Sequence, residues 1–390
     1  MPNQAPEQPR RTGPVTLWLY GRIEDDPAQS LAAAVARGVQ HHVGARSPEE
    51  VQTVREAGLD PWLFLGAFSV SEDERHLQCR SLDGKPRVWF SSGCPSHPAV
   101  RQRLLDRIRD MAGWGASGIM LDGIRFASPY EGPETFFTCT CRWCVAAAAD
   151  QGLSMPRIRE GLRRLWDQLA SVTPETLRRA LPAWQAPADL LARVNGGSEV
   201  WQWLQYRTAV ITDTVAEVRA VLRAAAPEMQ LGAYVFTPSL APLVGQDYAA
   251  LEAHLDLVAP MIYRLGDGPA CLAPEVAGLA DLLSGVPPQE QEMAALQFLG
   301  LAPAYRAGSP LRGGLAVDAV AIESQRARGR LSGRAKLVPI LWLDDPEVVP
   351  ATAAALAAAL DGISYFPTGD ARALRLGQVH AFLSGLPAAP

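Results

Sequence analysis

Eight short apolar runs, each separated from the next by a stretch of helical periodicity, set the pattern of this chain. They are PVTLWLY (14–20), GVQHHVG (38–44), PWLFLGAF (61–68), GIMLDGIRF (118–126), QLGAYVFTP (230–238), LDLVAPMIY (255–263), AKLVPILWL (335–343) and GISYFPT (362–368). None alternates strictly between apolar and polar residues, which fits parallel strands buried on both faces. Helical stretches lie between them: SLAAAVARG, SPEEVQTVREAG with a Ser-Pro-Glu-Glu start typical of a helix N-terminus, HPAVRQRLLDRIRDMAGWG, and WQWLQYRTAVITDTVAEVRAVLRAAAP. ARALRLGQVHAFLSGL closes the chain. Eight strands, each followed by a helix, predict an α/β fold of the (β/α)8 TIM-barrel type. A doubly wound open sheet is the alternative, and the count of eight decides against it.

At 390 residues and 48% hydrophobic content the chain can bury a large core, and α/β barrels with insertions reach this size as one unit. The polar, proline-rich MPNQAPEQPRRTGP predicts a disordered tail over 1–13, followed by a single barrel over 14–386. Long insertions are expected after strands 3, 4 and 6, at about 69–97, 127–199 and 264–334. The first contains CRSLDGKPRVWF, a candidate hairpin around Asp83-Gly84. A net charge of −5 with no basic stripe argues against a nucleic-acid partner. No stretch reads as a secretory signal or membrane span, and ATAAALAAAL (351–360) is too short for one, so a cytoplasmic location is expected. The six cysteines then default to thiols or metal ligands. Oligomeric state is left open by the sequence.

The fourth run ends its apolar stretch on an acid, Asp122. In mid-strand a carboxylate would be desolvated at a cost of several kcal/mol. At the C-terminal end of a barrel strand it faces the mouth, where catalytic groups emerge. Arg125, three residues on, could orient it and lower its pKa. The same residues equally allow a structural Asp–Arg pair that ties the fourth loop to the rim.

GIMLDGIRF resembles the G-(I/V)-x-(L/F)-D-x-(I/V)-R-(F/Y) signature of a family of uncharacterised TIM-barrel proteins grouped as hypothetical glycoside hydrolases. GQDYAALEAHLDLVAPMIY (245–263) is similar to that family's later segment, which ends Pro-Met-x-Tyr. CPSHPAVR (94–101) and the cysteine cluster also resemble its members. The likeness spans roughly strand three to strand six. It implies a carbohydrate-active barrel with Asp122 at the nucleophile-like position of strand four.

Glycoside hydrolysis ordinarily uses two carboxyl groups, and strand five ends GAYVFTPS without one. Candidates for the partner of Asp122 are Glu24, Asp247, Asp267, Asp344 and Asp345, with Asp344 preferred because it directly ends ILWLDD, and Asp247 next. Asp-Asp-Pro also reads as a helix N-cap. Tyr20, Tyr234, Phe236, Tyr263, Trp342 and Tyr365 fall near strand C-terminal ends, where aromatic faces stack on sugars and hydroxyls reach sugar oxygens. Core packing accounts for most such residues, so about two of the six are expected to touch ligand. Glu24, Gln246 and Arg264 are candidate polar contacts to substrate, and His41 or His42 is expected to make a rim hydrogen bond.

Cys139-x-Cys141-x-x-Cys144 with Cys94 has the spacing to hold a tetrahedral structural zinc between two mouth-side loops, and buried free thiols are the plainer alternative. The spacing does not match the C-x3-C-x2-C of radical S-adenosylmethionine enzymes. Cys79 and Cys271 read as unpaired and structural. The leading expectation is a glycoside hydrolase using Asp122 with Asp344 or Asp247, oriented by Arg125 and requiring no cofactor. A carbohydrate-binding barrel without turnover and a metal-dependent barrel hydrolase are the alternatives.

Overall fold

The computed structural model of the protein describes residues 15–22, 27–180, 197–306, 311–367 and 372–385. The tail expected at 1–13 lies outside them. Among the described residues nine strands form one sheet in which every pairing is parallel: β1 (Thr16–Tyr20), β2 (His41–Ala45), β3 (Asp60–Gly66), β6 (Gly118–Asp122), β7 (Gln230–Val235), β8 (Leu257–Pro260), β9 (Lys336–Leu337), β10 (Ile340–Trp342) and β11 (Gly362–Phe366). Their order is β10-β11-β1-β2-β3-β6-β7-β8-β9.

The two edges of this curled sheet, β9 and β10, are consecutive pieces of one segment. Pro339 stands between them and has no N–H to give a ladder, so the expected seventh run is split in two. The same segment hydrogen-bonds on both sides. Val338 N–H donates to Val258 and Ile262 N–H to Ile340, while Asp361 N–H donates to Leu337 and Ser364 N–H to Pro339. The strands are apolar because both faces are covered. Leu19, Val43, Leu63, Leu65, Ile119, Leu121, Leu231, Val258 and Ile363 have no exposed surface.

Helices cover the outside. Pro48–Glu56 starts as its sequence predicts, with Ser47 Oγ accepting from Glu50 N–H, Pro48 in the first turn and Glu49 and Glu50 near the positive end. Pro98–Ala112 buries Val100, Leu104, Ile108 and Met111, one stripe at helical spacing. Shortening Leu104 to alanine is expected to cost about 2–5 kcal/mol. Between β3 and β6 a small antiparallel hairpin, β4 (Cys79–Arg80) with β5 (Pro86–Arg87), turns through Gly84 at φ +84°. The chain between β6 and β7 carries the helices Pro133–Phe136, Arg142–Asp150, Met155–Ala170, Pro174–Ala180 and Gly197–Ala225. Between β8 and β9 lie Leu272–Ala280, Pro288–Phe298 and Asp318–Arg330.

The two adjacent histidines begin β2 instead of ending it. His41 stacks on Trp18 at 3.9 Å and its Nδ1 lies 2.7 Å from Asp60 Oδ2, at the N-terminal end of the strands. His42 is fully buried, and burial pushes its pKa down to about 4. Neither reaches the mouth, because the strand starts three residues later than the apolar run does. No described helix is long and apolar enough to cross a membrane.

Candidate active site

The strands present their last residues to one cavity of about 200 Å³. Asp122 ends β6, Tyr20 ends β1, Trp342 ends β10 and Phe366 ends β11, while Tyr234 stands near the end of β7 and Tyr263 just beyond β8; all line this space. The aromatic rings support one another. Tyr20 sits 5.5 Å from Tyr234, 5.3 Å from Phe64 and 4.9 Å from Phe366, and Trp342 sits 5.0 Å from Phe366 and 5.4 Å from Tyr263. Rings at the ends of β1, β10 and β11 and near those of β3, β7 and β8 give the cavity flat, mutually braced walls.

Among the described residues that line it, Asp122 is the only carboxylate. Burial raises its pKa, and the Gly123 N–H and the Arg125 charge pull it part of the way back. The nearby hydroxyls respond in the same direction. Burial and then the Asp122 charge push Tyr20 up to about 12, against the opposing pull of Arg46 and Arg22. Burial followed by Asp122 raises Tyr263, and burial followed by Tyr20 raises Tyr234. All three therefore remain neutral donors around the acid. The Tyr234 hydroxyl is buried without a well-formed hydrogen bond among the described residues, Ser364 being a polar neighbour. Such a donor costs about 1–3 kcal/mol until something accepts from it.

Arg125 lines the cavity with its guanidinium sandwiched between Trp89 at 4.5 Å and Phe236 at 4.7 Å, and its Nη1 donates to the Phe126 carbonyl at 3.1 Å. It shares its charge among Glu275, Glu131 and Asp122. Glu275 is fully buried and engaged. It accepts from Ser128 Oγ at 2.8 Å and from the N–H groups of Tyr130 and Ala270 at 3.0 Å each. Glu131 Oε1 lies 3.9 Å from Arg125 Nη2 with 16% of its side chain exposed, and burial raises its pKa. Sequence reasoning passed over both acids, because neither stands at a strand end. The turn Pro129–Glu131 and the helix Leu272–Ala280 bring them to Arg125 only in the folded chain.

Several expected contacts are placed elsewhere. Asp247 is exposed and caps the helix Tyr248–Glu252, its Oδ1 accepting from Ala250 N–H at 3.1 Å. Asp344 lies in the turn after β10, where the chain has already left the strand, and is not part of the cavity wall. Asp345 is gripped by Arg264, whose Nε donates to Oδ2 at 2.6 Å and whose Nη2 reaches Oδ1 and Glu347. Arg264 Nη1 donates to the Leu315 carbonyl at 2.7 Å, so this 2%-exposed guanidinium is a strut and not a sugar contact. Gln246 is a brace as well: it accepts from Phe236 N–H at 2.8 Å and donates to the Ile124 carbonyl at 3.2 Å, tying together the loops that flank Asp122. Tyr365 turns to the outer face and bonds Thr352 Oγ1. Asp267 is exposed and lies off the wall. Glu24 lies outside the described residues.

The cavity wall also includes Phe90, which is 56% exposed and lies at φ +46° beside Ser91 at φ +50°. Two consecutive side-chain-bearing residues in the left-handed region cost about 1–2 kcal/mol each. The turn is held by Ser92 N–H donating to Trp89 and by Val70 N–H donating to Ser91, both at 2.8 Å.

Behind this turn, the Sγ atoms of Cys94, Cys139, Cys141 and Cys144 all lie within 4.8 Å of one another. Cys94 is 3.5 Å from Cys144 and 3.7 Å from Cys141, and Cys141 is 3.7 Å from Cys144. A tetrahedral metal with bonds of about 2.3 Å to sulfur requires S–S edges of about 3.8 Å, so the donor set fits zinc. Arg80 N–H donates to Cys139 Sγ at 3.1 Å. Cys79 is a buried thiol beside this group. Cys271, expected to be merely structural, lines the cavity, and burial pushes its pKa up to about 11. The fully buried Arg207, which the sequence did not single out, donates to the carbonyls of Ala127, Leu243, Phe136 and Thr138 and stacks on Trp203 at 3.9 Å.

No family model matches the chain, and no curated protein matches it. Solved structures do. A β-galactosidase from the psychrophilic Marinomonas ef1 is similar over 94% of this chain and 59% of its own, at 14% identity and a TM-score of 0.57. A catalytic mutant of a GH42 β-galactosidase from G. stearothermophilus is similar over 96% of this chain and 58% of its own, at 11% identity and a TM-score of 0.56. The catalytic domain of the β-amylase from Paenibacillus polymyxa is similar over 94% of this chain and 98% of its own, at 12% identity and a TM-score of 0.53. The chain thus spans under three fifths of the length of these β-galactosidases. What it shares with all three is the fold, a curled parallel sheet wrapped in helices.

Proposed function

We propose that the protein is a glycoside hydrolase-like enzyme acting on a carbohydrate, built as a single (β/α)8 barrel with 336–342 as its seventh strand. The observation that carries this reading is Asp122, an acid at a strand's C-terminal end that shares an aromatic-walled cavity with three neutral tyrosines. A ring-shaped ligand rich in hydroxyls matches both features, since pyranose faces stack on Trp342 and Phe366 while the tyrosine hydroxyls bond its oxygens. Asp122 is the nucleophile or base. No second carboxylate lines the cavity among the described residues; the partner we propose is Glu131, in place of Asp344 and Asp247, because it stands 3.9 Å from the guanidinium that also feels Asp122. Arg125, clamped between two rings, orients the pair.

An aryl-glycoside panel tests this reading. Turnover of a panel member is expected to fall by about 10² or more in Asp122→Asn. Unchanged turnover in that variant would overturn the assignment. The second reading, binding without turnover, is favoured by the single carboxylate on the described cavity wall. Wild-type protein that binds oligosaccharide yet hydrolyses nothing would select it.

The cysteine cluster we read as a structural zinc site, with Cys94, Cys139, Cys141 and Cys144 as ligands. Four thiolates leave no open position for chemistry. The buried charge of such a complex needs a counter-charge, and Arg207, which feels Cys79, Cys139 and Cys144, is placed to supply it. The zinc would tie the segment carrying Trp89–Ser92 to the loop that follows β6.

A further inference from the structure

Beside the Asp122 cavity lies a larger one of about 570 Å³. The two share Phe64 and Phe90 as a common wall. Its floor and sides include Arg46, Arg107, Asp110 and Trp114. Neither guanidinium has a carboxylate within 4.0 Å among the described residues, although the Arg46 backbone N–H donates to Glu50 Oε2 at 2.6 Å and Arg103, one helical turn from Arg107, is committed to Glu74 at 2.6 Å. Arg46 lies 5.3 Å from the centre of the Phe64 ring and reaches towards the Tyr20 hydroxyl. Arg107 makes one long bond of 3.3 Å to the Gly66 carbonyl and, among the described residues, keeps its other donors free of side-chain acceptors. The described lining thus carries two cations and one acid, Asp110, with Glu50 beside the Arg46 backbone, in a chain whose net charge is −5. Partial burial first, and then the neighbouring Arg103 and Arg46 charges, lower the pKa of Arg107.

We propose that this second cavity is the subsite next to Asp122 and recognises an acidic sugar residue, with Arg46 and Arg107 holding its carboxylate or sulfate group. The inference rests on the carbohydrate reading of the Asp122 cavity. A guanidinium matches a planar carboxylate or a sulfate with paired N–H donors. Phe64 and Phe90 let one chain of sugars cross from the acidic catalytic pocket to the basic subsite over a continuous aromatic surface. Trp114 supplies a further ring on the far side.

The test uses full-length Asp122→Asn protein, to prevent turnover, on an array of glucuronate-, galacturonate- and sulfate-bearing oligosaccharides beside their carboxyl-reduced or desulfated counterparts. Acidic forms are expected to bind at least tenfold more tightly, with affinity falling as salt is raised. The comparison of uronate with sulfate arms tells which anion is read. Adding Arg46→Gln and Arg107→Gln is expected to erase the tenfold preference and leave binding of the neutral forms within twofold. Arg107→Gln alone, on an exposed helix face, is expected to remove at least a threefold share and serves if the combined variant does not fold. Neutral forms binding as tightly as acidic ones, or a preference that survives these substitutions, overturns the subsite and leaves the carbohydrate reading intact. Binding of no oligosaccharide of either kind overturns both.

Discussion

Cys94 and Cys144 stand 50 residues apart in the chain, and their sulfur atoms are 3.5 Å apart in space. That separation is close to one edge of a zinc–tetrathiolate tetrahedron and too long for a bond between the sulfurs. Because Cys94 follows the segment that carries the cavity-lining Phe90, and Cys144 belongs to the helix Arg142–Asp150, the pair joins that segment to the chain between β6 and β7.

Purified full-length protein is therefore expected to carry about one zinc per chain by elemental analysis. Cys144→Ser should lose the metal and lower the thermal midpoint by roughly 5 °C or more. Metal content well below one per chain in protein purified without chelators would remove the zinc assignment.

Asp122 gives a pH prediction whose sign is opposite to that of a salt-bridged acid. Its folded-state pKa is raised by burial, so the native state resists ionising it. The resulting destabilisation is absent below the unfolded-state value, grows as pH rises from there through the raised native value, and is complete above both. Asp122→Asn should consequently be more stable than wild type at neutral pH, with the difference vanishing near pH 3. Urea denaturation at the two pH values measures it, and a variant less stable at pH 7 would contradict the burial argument.

Arg264→Ala should cost about 3–5 kcal/mol, because it strands the buried Asp345 carboxylate. In whatever fraction remains folded, oligosaccharide affinity should be unchanged. A variant of normal stability with lost affinity would restore Arg264 to the ligand site.

Tyr234→Phe deletes a buried hydroxyl that has no well-formed partner among the described residues. Stability should stay within about 1 kcal/mol of wild type or rise. Carbohydrate affinity should fall roughly five- to tenfold, the worth of one hydrogen bond to ligand. Titration calorimetry beside thermal melts separates the two effects.

The strands were readable in advance because burial on both faces demands continuous apolar runs, and the matching of Tyr20, Asp122, Tyr234, Tyr263 and Trp342 to one cavity follows from their places near strand ends. Where the reading failed, the deciding partner was remote. Nothing near Asp345 announces Arg264, which is 81 residues away, and nothing around Gln246 announces the Ile124 carbonyl, 122 residues away. Asp247 was mistaken for a site acid because an N-cap and a loop carboxylate look alike in sequence. The histidines were misplaced by reading 38–44 as the strand when pairing begins at His41. Glu131 and Arg207, the second on the helix Gly197–Ala225, owe their partners to tertiary folding that no local pattern encodes.

Phe90 belongs to both cavities at once, held there by a turn that few side chains would adopt unaided. On the proposed carbohydrate reading, replacing it would therefore perturb the fit of the reacting sugar and the affinity for its charged neighbour in a single step. Specificity at this mouth is inherited as a package, and a new preference on one side of the ring cannot be acquired without renegotiating the other.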